Sequence, residues 1–321
     1  MATTETEVRD APHATTPTEL SGHHWWRILK RTFTGMGEDH LSLIAAGVAF
    51  YGLLALFPAI TALMAIAGLV VEPQQVAGMI DSVSAILPQE AAAIVIDQAQ
   101  SVAGSESGGL GLAAIVGILL ALYSASKGVG SLVEGLNVAY NETDERGIVK
   151  QYMLNFMLTV LLIVGVVIVI GAVLVLPAVL SFVPLGPVTE LLIAGGRWVA
   201  LLILAAGGLA LLYWIGPDRK PPRFAWLTPG AMIAVLLWLL ASIAFTVYAS
   251  NFGAYQETFG TLAGAVLLLM WLWISALIVL LGAKLNAEAE AETAADTTRG
   301  ARHAPGDRDA EAADRVERRE V

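Results

Sequence analysis

Hydrophobic positions in this chain come in continuous runs rather than in a repeating pattern. No Asp, Glu, Lys or Arg interrupts 41–71, 107–126, 151–189, 198–217, 224–256 or 258–283. A helix or strand with one wet face would return a polar residue every 3.6 or 2 positions. Runs that are apolar all round need an apolar environment all round. Each has about 20 residues or more, enough for a helix rising about 1.5 Å per residue to cross roughly 30 Å of hydrocarbon. The pattern predicts an all-α polytopic membrane protein with six spans, at about 41–71, 107–127, 151–178, 195–216, 228–250 and 261–284.

Two runs depart from a plain span. The first contains Pro58 in "LLALFPAITAL". Proline removes a backbone donor and crowds the preceding turn, so a long, bent or broken first helix is expected. The third is too long for one helix, and Pro177, Pro184 and Pro187 at its far end predict an irregular segment after about 178. Between the first two spans, Val76, Met79, Ile80, Val83 and Ile86 fall at helical spacing and Pro88 can open a second helix. The expectation is two short amphipathic helices over about 74–103, forming a lid or resting on headgroups.

The flanks read differently. Residues 1–24 are polar, have no apolar core of a cleaved signal and are expected to be a disordered tail. In 25–39, Trp25, Trp26, Ile28, Leu29 and Phe33 interleave with Arg27, Lys30 and Arg31. That mixture predicts an interfacial helix with rings at headgroup level and cations toward anionic lipid. Residues 289–321 are Ala, Glu, Asp and Arg, expected to continue the last helix for a few turns and then become a solvated, disordered tail.

Cations orient the spans. Arg27, Lys30 and Arg31 precede the first, Lys127, Arg146 and Lys150 join the second to the third, and Arg219, Lys220 and Arg223 join the fourth to the fifth. Lys284 and six arginines follow the sixth, while 72–108, 179–194 and 251–262 hold no Lys or Arg. The positive-inside rule then predicts a multi-pass protein with both termini cytoplasmic.

Composition agrees: 56% of residues are hydrophobic and only 14% charged, against about half and a quarter in soluble domains. Mean hydropathy is +0.70. The absence of cysteine excludes disulfides, thiolate metal sites and cysteine nucleophiles. The five histidines lie in the tails or at the first interface, with no zinc-site spacing, phosphate loop or serine elbow. No catalytic group, metal or cofactor is therefore expected, and the scattered basic residues predict no nucleic-acid partner.

The remaining polar candidates are few. "YSASKGVGSLVEGLNVAYNETDERG" (123–147) places Lys127, Ser131 and Glu134 on one face, followed by Asn137, Tyr140 and Arg146. It reads either as a close-packed helix end whose Lys and Glu neutralise each other or as a polar patch at the mouth of a pathway. Tyr51, Tyr213 and Tyr255 read as interfacial aromatics, and Gly260 with Gly264 as a packing GxxxG. Lys284, followed by Asn286, stands where the last apolar run ends. Its ammonium is expected to snorkel to water past the negative end of the helix, with a carboxylate such as Glu134 as the alternative partner.

These residues resemble a known family, the YihY/BrkB-type integral membrane proteins of bacteria. The resemblance runs through "AAGVAFYGLLALFPAI" (45–60), "SASKGVGSLVEGLNVAYNETDERG" (124–147), "LLYWIGPD" (211–218) and 229–288, ending in "GAKLNAE". It covers essentially all of 25–288 and implies six helices and an inner-membrane location without an established activity. The family's old ribonuclease label is a misassignment by this reading, and some members are linked to envelope lipid or lipopolysaccharide export. The family usually has Glu where this chain has Lys284 and often Arg where it has Trp214, whereas Asn286 and Glu288 match. The expected function is binding or transport of an amphiphilic envelope component such as a lipid. The alternative is a scaffold for envelope partner proteins or a homo-oligomer.

Overall fold

The computed structural model describes residues 12–70, 110–175, 186–250, 261–301, 303, 304 and 306–315. The helices are α1 (Gly22–Glu38), α2 (Leu41–Val70), α3 (Leu110–Tyr140), α4 (Ile148–Ile170), α5 (Pro187–Ile215), α6 (Phe224–Ser250), α7 (Thr261–Ala291) and the short α8 (Glu311–Asp314). Among the described residues there is no β-strand, only an isolated bridge between Pro222 and Thr298. The two outer amphipathic helices expected over 74–103 lie outside the described residues.

Six helices have the length and composition of spans: 41–62, 115–140, 148–173, 195–215, 224–250 and 263–291. They show little burial within the protein itself. The most hydrophobic lies within 148–173, and only 11% of its most apolar 18-residue stretch is buried. Val160, Leu162, Val164, Val167 and Ile170 along it are exposed. So much contiguous apolar surface would aggregate in water, and it is what lipid chains cover. The protein is a multi-pass, all-α membrane protein.

Helix α2 runs unbroken through Pro58 rather than breaking there. The lost donor costs one ladder bond, and within a span the rest of the ladder persists because no water competes for the backbone. At the end of α4 the chain takes one π-helical turn, Gly171–Val175.

The chain divides into two units. The first comprises 1–45, 132–238 and 277–321, the second 46–131 and 239–276. In the second unit α2 and α3 meet on small residues. A Cβ built on Gly117 would stand 3.0 Å from the Pro58 carbonyl, and one on Gly128 would stand 3.4 Å from Tyr51 Cβ. Close backbone approach is how membrane helices gain dispersion energy when lipid removes the hydrophobic drive to associate. Phe245 and Ala249 of α6 pack with Leu267, Met270 and Trp271 of α7 in the same unit.

In the first unit α6 and α7 come closer still. A Cβ on Gly230 would overlap the carbonyl oxygen of Gly282, and one on Gly282 would lie 2.5 Å from the Tyr213 hydroxyl. Asn286 clamps α7 to α6 beside Pro229: its Oδ1 accepts from Gly230 N (2.8 Å) and its Nδ2 donates to the Leu227 carbonyl (3.1 Å).

Both flanks are more ordered than the sequence implies. Ala14, Pro17 and Leu20 are buried; Ala14 and Leu20 join Ile28, Trp226, Leu285 and Ala289 in one apolar cluster. The C-terminal residues expected to be solvated are instead buried almost continuously from Ala287 to Thr298. Arg223 N donates to Thr297 O, Arg299 N to Pro221 O and Lys220 N to Asp309 O, so this segment pairs edge-on with the α5–α6 connection. Its anchor is Arg308, whose guanidinium donates to the carbonyls of Ala294, Ala295 and Ala313 and is 2% exposed. Composition alone misses this, because alanine-rich segments are buried through close backbone contact rather than bulk.

Replacing Gly230 by Ala is expected to lower stability by about 1–3 kcal/mol or more, the scale of overpacking. Gly207, with nothing within 4 Å of its would-be Cβ, should accept Ala without loss. Thermal unfolding of both variants in detergent checks the contrast.

Candidate functional site

Three carboxylates at the C-terminal end of α7 organise the polar part of the first unit. Glu288, Glu290 and Glu292 are all at most 3% exposed. Alternate residues on an α-helix are turned by about 200°, so 288 and 292 share one face and 290 takes the opposite one. Buried charges at these positions must be paired or they would not remain ionised.

Helix α1 pairs the first face. Arg31 Nε donates to Glu288 Oε2 at 3.1 Å and its NH2 to Glu292 Oε2 at 2.8 Å, while Arg27 stands 3.6 Å from Glu292. Arginines four apart thus meet glutamates four apart on antiparallel helices. This corrects the expectation that Arg27 and Arg31 turn toward lipid. The outer face of α1 instead shows Trp26 and Phe33, 68% and 64% exposed.

The opposite face is paired by the α5–α6 connection. Arg219 NH2 donates to Glu290 Oε2 at 2.7 Å, and Thr297 Oγ donates to the same oxygen at 2.8 Å. Arg219 also lies over the Tyr140 ring, 4.8 Å from its centroid, and its Nε is 3.8 Å from Glu142. Glu142 Oε1 accepts from Glu311 N at 2.9 Å, tying the α3–α4 connection to α8. Burial, opposed by Arg219, pushes the Glu142 carboxyl up from 4.5 to about 7.

Lys284 is the departure from the resemblance, and it is not an anchor reaching water. Its side chain is 3% exposed, its helix continues to Ala291, and its ammonium sits 2.7 Å from Asp39 Oδ2 and 3.4 Å from Glu288. The alternative partner, Glu134, is exposed. At that distance the Lys284 ammonium and the Asp39 carboxylate form a close ion pair. Arg315, beyond α8, donates to Glu288 Oε1 at 2.7 Å. Arg31, Lys284 and Arg315 on one side and Glu38, Asp39 and Glu288 on the other line an open polar cavity of about 230 Å³.

The other sequence candidates fall elsewhere. Asn137 is buried and pins a loop: its Oδ1 accepts from Asp218 N at 2.7 Å and its Nδ2 donates to Asp144 at 3.3 Å. Arg146 closes the same loop through Asp144 and the Gly216 carbonyl. Burial pushes Asp144 up, but its bonds from Arg146 outweigh that and hold it below the usual carboxylate range. Tyr213 is fully buried and donates to the Val279 carbonyl at 2.7 Å, so it is a helix clamp and not an interfacial aromatic. Asn286 is the α6–α7 clamp described above. In the second unit, Lys127 lies over the Tyr123 ring, Ser131 faces Gly47, and Tyr51 and Pro58 pack on α3 glycines. Tyr255 and Gly260 lie outside the described residues. Among the described residues no three His, Cys, Asp or Glu are grouped to hold a metal ion.

Sequence reading missed Asp39, Glu142, Arg219, Glu290 and Arg315 as site residues. The available signal was the matched four-residue spacing of Arg27/Arg31 and Glu288/Glu292, with a third Glu between the latter.

Arg219→Met leaves Glu290 buried without its cation, an expected loss of about 3–5 kcal/mol. The Arg219→Met/Glu290→Leu double variant should recover much of it, read by unfolding midpoints in detergent. For Glu142, the packed form keeps a proton that the unpacked form releases above about 4.5. The stability this group contributes is therefore fully present below pH 4.5 and is lost as pH rises toward 7. Unfolding midpoints in detergent across that range should show the loss, and Glu142→Gln should flatten it.

Comparison with known proteins places this architecture. One curated relative, the ribonuclease-like protein YfkH of Bacillus subtilis, is 27% identical over 248 residues, 76% of this chain and 88% of that protein. A UPF0761 membrane protein of Vibrio vulnificus is 25% identical over 78% of this chain and 79% of its own length. Another, of Tolumonas auensis, is 40% identical over 95 residues, 29% of this chain and 31% of its own. No solved structure matches the chain. The sequence profile of the family described as virulence factor BrkB matches residues 32–307, nearly all of the described structure, and the chain belongs to that family of membrane proteins.

Proposed function

We propose that the protein binds, and moves or presents, a membrane amphiphile whose polar head enters the cavity beside Lys284. One observation carries this reading: a polar cavity of about 230 Å³ opens on α7, a helix otherwise apolar enough to span a membrane. Buried ionisable groups where a span leaves the bilayer cost free energy unless they are paired, and a charged cavity there is open to a lipid head. The exposed apolar lengths of the spans offer the surface along which acyl chains lie.

Among the described residues the carboxylates and cations lining the cavity are largely engaged with one another, which supports a binding or transport protein rather than an enzyme. The cation distribution favours a cytoplasmic membrane with both termini cytoplasmic, which puts the cavity at the cytoplasmic surface. Protein purified from membranes and extensively delipidated should retain bilayer lipid detectable by mass spectrometry, and Lys284→Ala should release several-fold more of it. Absence of bound lipid, together with unchanged movement of head-labelled lipid across reconstituted vesicles, would overturn the proposal.

A further inference from the structure

The cavity has a charge pattern that selects among heads. Its three cations and three carboxylates sum to zero. A guest with a net negative charge would bring a fourth anion against Glu38, Asp39 and Glu288, and a net cation would meet the converse problem. A guest carrying one charge of each sign leaves the balance intact.

The two signs are interleaved, and Lys284 Nζ also stands 2.7 Å from Asp39 Oδ2. Arg31, Lys284 and Arg315 converge on Glu288 at 3.1, 3.4 and 2.7 Å. Arg315 comes from the C-terminal segment and is 40% exposed, so its planar fork is within a guest's reach. Glu38 and Asp39 line the cavity at the close of α1, where Glu38 is exposed and its carboxylate is open to a guest.

Resting on the reading of the cavity as a lipid-head site, we propose that it takes a zwitterionic head of the phosphate–primary ammonium class, with the phosphate at Arg31 and Arg315 and the ammonium at Asp39 and Glu38. Guanidinium groups bind phosphate in paired hydrogen bonds, and carboxylates accept from an ammonium N–H. A quaternary ammonium has no N–H to give and is normally held by aromatic rings, and among the described residues no aromatic side chain lines the cavity.

The test uses the full-length protein in an uncharged detergent. Short-chain lipids with identical acyl chains and phosphoethanolamine, phosphoglycerol or phosphocholine heads are titrated by calorimetry, beside soluble glycerophosphoethanolamine. The phosphoethanolamine lipid should bind at least tenfold more tightly than the other two. Glu38→Gln, at an exposed position that leaves the fold intact, and Asp39→Asn should bring that ratio toward one. Arg315→Gln should weaken all three. Equal or tighter binding of the phosphoglycerol or phosphocholine lipid overturns the head assignment while leaving the lipid reading standing. Binding of no lipid overturns both. Glycerophosphoethanolamine binding as tightly as its lipid supports the head chemistry and removes the lipid.

Discussion

Three buried carboxylates on the last turns of α7 set the terms for everything around them. A helix that has just left an apolar span can carry Glu288, Glu290 and Glu292 out of water only if each meets a cation. The cations come from separate places in the sequence: Arg27 and Arg31 from α1, Arg219 from the α5–α6 connection, Lys284 from one turn back and Arg315 from the far end of the chain. Glu290 depends on Arg219, while Glu288 and Glu292 each share several cations, so the flanking segments are held to the membrane domain electrostatically as well as by the Ile28–Trp226–Leu285 cluster. The alanines between the glutamates let these neighbours approach closely enough to pair.

The same economy of small residues operates within the spans. Gly230 and Gly282 bring two backbones together so tightly that Asn286 and Tyr213 can satisfy carbonyl and amide groups across the gap. In lipid this matters twice, because close contact supplies the attraction between helices and side-chain amides and hydroxyls clamp one backbone to the next. Lys284 then stands at the boundary of two regimes. On its apolar side the helix is stabilised by its surroundings; on its polar side it is stabilised by specific pairs. The polar cavity lies at that boundary.

Legibility differed by residue. Lys284 was visible as an anomaly, but its partner was not, because Asp39 is 245 residues away in the chain and sits at a helix end whose direction the sequence leaves open. Asn137 and Arg146 were visible as polar groups near an interface, yet their work is to hold the 141–147 loop against Asp218. Tyr213 resembled an aromatic belt residue because composition cannot tell a ring facing lipid from one clamping a carbonyl. The C-terminal segment resembled a disordered tail because its apolar content is low, and the guanidinium of Arg308, capping three carbonyls, compensates for that deficit.

By itself the sequence determined the solvent, the number of spans and their limits to within a few residues, since each uninterrupted apolar run must satisfy its own backbone in hydrocarbon and only a helix does so locally. Tertiary structure alone decided which charges meet, that α7 continues beyond its apolar run, and that both flanks fold back onto it. Pairing is a long-range property: the energy of a buried carboxylate depends on which distant cation arrives beside it, and nothing in its own neighbourhood along the chain records that choice.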